Sequence, residues 1–319
     1  MSITAAMVKD LREKTAAGMM DCKKALTECD GDMEKAVDWL RQKGLSKAAK
    51  KAGRATSEGL VGFELAADGK SGVAVEVKCE TDFVARGDKF QGFVKDMVAQ
   101  VAKGEYADSE ALLAAPFVAD ASVTVKEALD GVIATTGENM GLGKFAKMEL
   151  AAGKSGLIGG YLHSNGKLAV LVEMQTGSDA AAASEAFHEV AKNVAMQIAA
   201  LNPRFWDKSQ VSQDVLDEEK KIMMVQMEND PKMASKPEQV REKIVMGKMN
   251  KFYSENCLLQ QEFVRGDVFT GSVEQYIADA AKKLGGKITF VDAIRFEKGE
   301  GIEKKQENFA EEIAKMVKG

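Results

Sequence analysis

Hydrophobic positions near the start of the chain recur at intervals of three and four residues, which is the period of one face of an α-helix. Asp32 is placed to accept a backbone N–H at the start of the third set, and Gly44 is placed to end it. The pattern predicts a module of three short helices from Thr4 to about Gly44. The three sets are Met7 and Leu11; Cys22, Ala25 and Leu26; and Met33, Ala36, Val37 and Leu40.

A basic segment follows this module. Six basic residues and no acidic residue lie between Arg41 and Arg54, among alanines for which the sequence offers no packing partner. A run of like charges of this kind is typical of a solvated linker, which is what we expect here. Contact with a polyanion is the alternative function for the same charges.

The centre of the chain contains an internal repeat that aligns without gaps at an offset of 97 residues, so that the first copy starts near Gly59 and the second near Gly156. In each copy two β-rich runs are joined by a dipeptide that tolerates positive φ, either Asp68-Gly69 or Asn165-Gly166. We therefore expect a hairpin with a type I′ turn in each copy, followed by a helix that covers the sheet. Further matched positions are Val75-Glu76 with Val172-Glu173, Asp82 with Asp179, Phe90 with Phe187, and Gln100 with Gln197.

Each copy continues into a second helix and a third strand. In the first copy the pattern predicts a helix near Val123 to Thr135 and a strand at Phe145 to Leu150. In the second copy Ser272, with Gln275 three residues later, has the spacing of a capping box, and the strand is expected at Ile288 to Phe296. The repeat therefore predicts two related α+β subdomains.

The second copy also contains an insertion, roughly Val215 to Phe252, that has no counterpart in the first. Ser235 with Glu238 has capping-box spacing at the start of the second of its two helical stretches. An antiparallel helical hairpin is expected, which either serves dimerisation or partner contact or is packed only on itself. A last helix is predicted from about Glu307 to Lys318. The facing apolar residues of the hairpin are Leu216, Met223 and Met227 on one arm and Val240, Ile244, Met249 and Phe252 on the other.

Composition places the chain among ordinary globular proteins. It has 319 residues, of which 45% are hydrophobic and 29% charged, and this length suggests roughly two domains. The formal net charge is -5, so the chain lacks the general positive field on which non-specific nucleic-acid binding depends. We therefore expect no direct contact with nucleic acid.

Neither a membrane segment nor a secretion signal is expected. The longest apolar runs, such as Val73 to Val77, fall far short of the roughly 20 residues that cross a bilayer. The N-terminus lacks a basic region followed by a continuous apolar stretch, which favours a cytoplasmic location. Cys22, Cys29, Cys79 and Cys257 include no closely spaced pair, and we predict reduced, mostly buried thiols.

The sequence offers little support for an enzyme. A phosphate-binding loop ending at Gly143-Lys144 would need glycine at position 138 and serine or threonine at 145, where the chain has Glu138 and Phe145. The two histidines, His163 and His188, lie 25 residues apart without the frame of a zinc protease or a catalytic triad. We expect no cofactor and no metal ion bound by this chain.

The two copies diverge where the hairpin leads into the following helix, at residues 79–85 and 176–182, which we call the first and second corner. Thr81-Asp82 and Ser178-Asp179 are both suited to cap a helix, but Phe83 of the first corner corresponds to Ala180 of the second. Phe83 is either a hydrophobic staple on its own helix or an exposed aromatic anchor for a partner's pocket.

Three groups of residues identify a family. They are Leu11-Arg12-Glu13-Lys14-Thr15 with residues 17–26, Thr81-Asp82-Phe83-Val84-Ala85, and Ile294-Arg295-Phe296-Glu297 with residues 299–304. In this order they closely resemble the bacterial elongation factor Ts family, and the resemblance spans nearly the whole chain.

The resemblance implies an α+β architecture with an N-terminal three-helix domain similar to ubiquitin-associated (UBA) domains, a duplicated core, an inserted antiparallel helical hairpin and a C-terminal helix module. The expected boundaries are 1–54 for the UBA-like domain with its linker, 55–152 for the first core subdomain, 153–213 and 255–298 for the two parts of the second, 214–254 for the hairpin, and 299–319 for the C-terminal module.

The resemblance also implies a function: nucleotide exchange on elongation factor Tu, the GTPase that carries aminoacyl-tRNA to the ribosome. In the family, the Asp-Phe pair of the first corner acts beside the magnesium site of elongation factor Tu, and that ion belongs to the partner. The hairpin at 214–254 supports a homodimer in some relatives. The partner-binding residues implied by matching positions are Thr81, Asp82, Phe83 and Val84 at the corner, and Arg12, Met19, Met20 and His163 elsewhere.

Two other functions stay open on the sequence. One is a binding scaffold in which the N-terminal module acts as a peptide or ubiquitin-like adaptor, and the other is an enzyme with an acid–base site of unfamiliar form. An adaptor gives no reason for an aromatic residue at Phe83 when the second copy has alanine. Taken alone, the pair Met19-Met20 fits a core position as well as a partner contact.

Overall fold

A computed structural model describes residues 3–15, 17–164 and 166–300, and of residues 45–47 the backbone only. In this part of the chain, thirteen α-helices and three small β-sheets form a mixed α/β fold. The helices are α1 (Ala5–Thr15), α2 (Met19–Glu28), α3 (Met33–Ala49), α4 (Asp82–Ala85), α5 (Asp88–Lys103), α6 (Ser109–Ala114), α7 (Val125–Thr136), α8 (Asp179–Ala182), α9 (Glu185–Leu201), α10 (Gln213–Glu228), α11 (Pro231–Ala234), α12 (Glu238–Asn256) and α13 (Val273–Lys283). The strands are β1 (Glu58–Leu65), β2 (Ser71–Cys79), β3 (Pro116–Phe117), β4 (Asp120–Thr124), β5 (Met140–Glu149), β6 (Gly156–His163), β7 (Leu168–Thr176) and β8 (Ile288–Glu297).

The three N-terminal helices pack around a small core of their own. Leu11, Cys22 and Leu26 are fully buried in it, as the helical period predicts. The Asp32 carboxylate accepts hydrogen bonds from the backbone nitrogens of Glu34 and Lys35, both at 3.1 Å. Asp32 is therefore the predicted N-cap of α3.

Gly44 does not end α3, so the predicted stop is wrong. The helix continues to Ala49, and Gly44 is buried against Ala134 of α7. A Cβ atom added at Gly44 would lie 3.5 Å from the Cβ of Ala134. Glycine inside a helix costs about 0.5–1 kcal/mol relative to alanine. Packing of α3 against α7 offsets that cost, because a small residue at position 44 lets the two helices approach closely.

The expected solvated linker is also wrong. The guanidinium of Arg41 donates a hydrogen bond to the carbonyl of Ser122 at 3.2 Å, and the ammonium of Lys51 donates to the carbonyl of Gly137 at the C-terminus of α7. Ala48 is buried in the core of the first copy. The basic segment thus docks the N-terminal module on the first copy, with Lys51 placed at a carbonyl group that the end of α7 leaves unpaired.

The repeat is confirmed by strand register. β1, β2 and β5 form one antiparallel sheet, and β6, β7 and β8 form another in the same order. Leu60 lies opposite Val77 in the first sheet, and Leu157 lies opposite Met174 in the second, so both members of the pair are shifted by 97 residues. The helices α5 and α9 cover the sheets and bury Phe90 and Phe187 completely.

The first hairpin does not have the predicted two-residue turn. β1 and β2 are joined by residues 66–70, in which Gly69 alone has a positive φ, of 68°. A type I′ turn needs positive φ at both central residues. Asp68 instead accepts a hydrogen bond on its carboxylate from the backbone nitrogen of Lys70 at 2.9 Å. In the second hairpin Asn165 lies outside the described residues, while Gly166 has a φ of 93°.

The two copies pack against each other through an approximate twofold relationship. The backbone nitrogen of Val61 donates to the carbonyl of Gly166 at 2.7 Å, and the backbone nitrogen of Ile158 donates to the carbonyl of Gly69 at 2.8 Å. Each hairpin loop therefore lies on the first strand of the other copy. The apolar core between the sheets consists of Val61, Ala74, Met148, Ile158, Ala169, Leu171 and Phe296.

The insertion forms the helices α10, α11 and α12. Met227, Met249 and Phe252 are buried as predicted, but Val240 is exposed and Val245 is buried instead. The predicted capping box at Ser235 is wrong, because the Ser235 hydroxyl donates to the carbonyl of Lys232 at 3.2 Å and Pro237 occupies the N-cap position of α12. The other predicted capping box, at Ser272 and Gln275, is confirmed.

The remaining expectations concern the ends of the chain and its thiols. The helix predicted at 307–318 lies outside the described residues, and the six-segment division stays a prediction. Cys22, Cys79 and Cys257 are buried free thiols, and Cys29 is a half-buried one. Among the described helices, none combines the length and the apolar character needed to span a bilayer.

Candidate partner-binding site

The first corner presents an aromatic side chain to solvent. β2 ends at Cys79, and Thr81 caps α4 by accepting a hydrogen bond on its hydroxyl from the backbone nitrogen of Val84 at 3.3 Å. Phe83, in the first turn of α4, is 85% exposed. The alternative of a hydrophobic staple is therefore wrong, because a staple would be covered by its own helix.

The corner is held by hydrogen bonds from a distant loop. The backbone nitrogen and the hydroxyl of Thr81 donate to the two carboxylate oxygens of Glu138, at 3.0 and 2.6 Å. The backbone nitrogen of Asn139 donates to the carboxylate of Glu80 at 2.5 Å. Glu138 and Asn139 lie between α7 and β5, so this loop ties the corner to the body of the first copy.

A buried thiol lies beneath the first corner. The Cys79 thiol donates to the carbonyl of Thr81 at 3.2 Å. Burial, with the negative charges of Glu138 and Glu58 nearby, raises the pKa of Cys79 to about 12. This cysteine is therefore a neutral structural group and not a nucleophile.

The other two corner residues differ in their surroundings. The carboxylate of Asp82 is half exposed and forms an ion pair with Arg86 one helical turn later, at 2.8 Å. Val84 is half-buried and packs against the core of the first copy. Asp82 and Phe83 are thus the corner groups that a partner can reach, whereas Val84 anchors α4.

The second hairpin loop lies beside the first corner. Asp82 and Arg86 from the corner and Ser164 and Lys167 from the hairpin loop all line one cavity of about 740 Å³. His163, at the end of β6, is exposed, and its Nδ1 atom lies 2.8 Å from the hydroxyl of Tyr161. The crossed packing of the two hairpins explains why sequence positions so far apart meet at one place.

The predicted N-terminal contact residues lie on α1 and α2. Arg12 is exposed on α1, and Met19 and Met20 open α2 with 58% and 76% of their surface exposed. The core alternative for the methionine pair is therefore wrong. These residues do not line the cavity at the corner, and they form a separate surface on the docked N-terminal module.

The second corner has the same cap without the same support. The Ser178 hydroxyl accepts from the backbone nitrogen of Ala181 at 3.2 Å, and α8 has the same length as α4. In its neighbouring loop, strand register places Gly286 and Lys287 where the first copy has Glu138 and Asn139, so neither position carries a carboxylate or amide side chain. Sequence reasoning missed Glu138 and Asn139, although comparison of these two loops offered a signal.

The exposed side chains of this surface are suited to binding a partner through apolar and polar contacts. Phe83 and the methionine pair offer apolar area, Asp82 a carboxylate and His163 an imidazole. Among residues 3–15, 17–164 and 166–300, no three histidine, cysteine or acidic side chains are grouped closely enough to hold a metal ion.

Comparison with known proteins decides the family. The sequence model of the family described as Elongation factor TS matches residues 80–300. The chain is 46% identical to elongation factor Ts of Clostridium novyi (strain NT) over 315 residues, which covers 99% of both proteins. The chain belongs to the elongation factor Ts family. Elongation factor Ts of Clostridium kluyveri is 47% identical over 317 residues, and that of Clostridium botulinum is 46% identical over 315.

Membership in the elongation factor Ts family assigns the chain to the elongation phase of protein biosynthesis. The family match begins at Glu80, so it includes Phe83 of the first corner, the part of the first copy that follows β2, the whole second copy and the insertion. The full-length elongation factor Ts relatives also cover the N-terminal helices.

Proposed function

We propose that this chain is a nucleotide exchange factor that accelerates GDP release from elongation factor Tu. The observation that carries the proposal is Phe83, a large aromatic side chain that is 85% exposed on a hydrogen-bonded corner. Solvent exposure of such a ring has a free-energy cost that binding removes, so its presence on a supported turn favours insertion into a partner's pocket. The chain makes and breaks no covalent bond in this function.

The proposed mechanism depends on where Asp82 and Phe83 act. GDP is held by a magnesium ion and a phosphate-binding loop of the GTPase, which neutralise the charge of the phosphates. Phe83 inserts between elements of the GTPase domain, and Asp82 enters beside the magnesium site. Small movements of these elements weaken GDP binding, and the inserted ring stabilises the moved arrangement.

Thermodynamic linkage makes the effect reciprocal. If the bound exchange factor weakens GDP binding by some factor, GDP weakens binding of the exchange factor by the same factor. A new nucleotide therefore displaces this chain from its partner, and one molecule can act repeatedly. The Asp82 to Arg86 ion pair is exposed, so exchanging it for a contact with the partner costs little.

Further contacts in the proposal come from the N-terminal module and the second hairpin. Arg12, Met19 and Met20 bind a helix of the GTPase domain, and His163 faces the partner beside the corner. The three-helix module is UBA-like, the core is duplicated, and the chain divides at the boundaries given above. A homodimer through residues 214–254 is a second, separate association.

The test is release of fluorescent GDP from elongation factor Tu with catalytic amounts of this chain. Burying a phenylalanine side chain contributes about 1.5–3 kcal/mol, so Phe83→Ala is expected to lower the acceleration roughly 10- to 150-fold. Excess magnesium is expected to reduce the acceleration by the parent chain. Leu201→Ala, which truncates an exposed residue of the second copy, is the control and should keep the parent rate.

Each outcome of the GDP-release assay has one interpretation. No acceleration by the parent chain contradicts the exchange function and leaves the adaptor hypothesis. Full acceleration by Phe83→Ala, with the parent active, contradicts the role of the ring. Chemical turnover without any GTPase present would support the enzyme hypothesis instead.

A further inference from the structure

The loop between α7 and β5 carries two side chains whose hydrogen bonds lead to the first corner and to the segment that follows α3. We propose that Glu138 and Asn139, which we call the brace, are positioning residues of the exchange reaction. They hold Phe83 in the orientation that engages the partner, and they fix the N-terminal module relative to it. This inference rests on the proposed function.

Glu138 fixes the direction of the Thr81 side chain. The Thr81 hydroxyl donates to Glu138 at 2.6 Å and accepts from the backbone nitrogen of Val84 at 3.3 Å. Its proton and one lone pair are therefore both committed, and the backbone nitrogen of Thr81 donates to the second oxygen of Glu138. Hydrogen bonds to a carboxylate are about twice as strong as those between neutral groups. The first turn of α4, which bears Phe83, cannot tilt without breaking them.

Asn139 joins the corner to the N-terminal module. Its backbone nitrogen donates to Glu80, and its side-chain amide donates to the carbonyls of Arg54 at 2.7 Å and Ala52 at 3.4 Å. The guanidinium of Arg54 in turn lies 3.5 Å from Glu80. Residues 52–54 directly follow the docked end of the module. This contact therefore fixes the position of the surface that bears Met19 and Met20 relative to Phe83.

The second corner shows that the brace is not needed to form the turn. There, Ser178 caps a helix of the same length, α8, next to a loop that has Gly286-Lys287 in place of the brace. The copy that lacks the exposed ring also lacks the brace. The brace therefore accompanies the exposed ring of Phe83 and is not a requirement of the turn itself. This is expected if the brace holds the ring in place before binding, because less conformational freedom is then lost when the partner binds.

A positioning role has a kinetic signature. If loosening the corner lowers the fraction of molecules that present Phe83 correctly, the apparent affinity falls by that fraction, while the exchange rate of the complex stays the same. Removing the Glu138 carboxylate is thus expected to raise the KM for the partner's GDP complex about tenfold, with kcat unchanged. Phe83→Ala, by contrast, is expected to lower kcat.

The experiment measures kcat and KM of GDP release for the full-length chain and its variants. Glu138→Ala should raise KM about tenfold, and Glu138→Gln, whose amide oxygen can still accept one of the two hydrogen bonds from Thr81, should raise it only about threefold. Amide hydrogen exchange at Val84 should be faster in Glu138→Ala than in the parent. The matched control is Gln275→Ala, which removes the capping-box glutamine of α13 far from the corner and should change neither KM nor exchange at Val84.

The result that overturns the proposal is a KM for Glu138→Ala within twofold of that for Gln275→Ala, or a fall in kcat at unchanged KM. If Glu138→Ala does not fold, Glu138→Asp replaces it with the same expectations, because it keeps the charge but shortens the side chain by one methylene, so that its carboxylate no longer reaches both donors of Thr81. Failure of the parent chain to release GDP would contradict the proposed function itself. An active parent with an unaffected Glu138→Ala variant would contradict only the role of the brace.

Discussion

The side-chain oxygen of Gln100 accepts a hydrogen bond from the backbone nitrogen of Val118 at 2.6 Å, and its amide donates to the carbonyl of Pro116 at 3.1 Å. In the second copy Gln197 accepts from Val264 at 2.8 Å and donates to the carbonyl of Glu262 at 3.1 Å. Both glutamines are buried. Each side-chain amide pairs with one backbone N–H and one backbone carbonyl of a segment that follows its helix in the chain. The repeat therefore preserves this polar contact as well as the apolar pattern.

Replacing these glutamines is expected to destabilise the fold through the backbone groups they leave unpaired. A buried group without its hydrogen bond costs about 1–3 kcal/mol, and the two backbone groups that Gln100→Leu leaves unpaired are only partly buried, so we expect a loss of about 1–3 kcal/mol for the two together. Gln197→Leu should have a similar effect. Lys95→Leu, on the exposed side of the same helix as Gln100, is the control. Urea unfolding measures the free energies, and losses below 0.5 kcal/mol in both variants would contradict this account.

The close approach of α3 and α7 at Gly44 predicts opposite effects for two substitutions. Gly44→Ala places a methyl group in ordinary contact with Ala134 and improves helix propensity, so it should stabilise the chain by about 0.5–1 kcal/mol. Gly44→Leu overfills the contact and should cost about 1–3 kcal/mol. Thermal unfolding measures both, and limited proteolysis within residues 50–57 reports whether the module has undocked. A Gly44→Leu variant as stable and as resistant as the parent would be inconsistent with the packing.

Cys79 predicts a loss of stability at alkaline pH. Its pKa is about 12 in the folded chain, above the value of 9.0 for an ordinary thiol, so ionisation favours the unfolded state. The contribution of this group is complete below pH 9 and is lost as pH rises from 9 to 12. By pH 10 the loss amounts to about 1.4 kcal/mol.

The measurement compares the unfolding free energy of the parent with that of Cys79→Ala at several pH values. Other groups that titrate in this range are present in both proteins, so their effects cancel in the difference. We expect the advantage of the parent at pH 8 to shrink by about 1.4 kcal/mol at pH 10. A difference that stays constant over this interval would contradict the burial of the thiol in its neutral form.

The local sequence pattern was sufficient to predict those features that are determined by residues close together in the chain. The repeat, the helices α5 and α9, and the caps at Asp32 and Ser272 follow from periodicity and from side chains that bond within one helical turn. The exposed Phe83 was a harder case, since its sequence fits a staple equally well. Only the difference between the two copies favoured exposure.

The sequence by itself thus determined the elements, the duplication and the family of this protein. Tertiary structure decided where local rules give way: Gly44 continues a helix because α7 covers it, and the basic segment docks because α7 ends beside it. It also decided that Glu138 supports Thr81. The physical reason is that hydrogen bonds and packing between residues distant in the chain can outweigh local preferences of about 1 kcal/mol, and no short-range pattern records which distant residues meet.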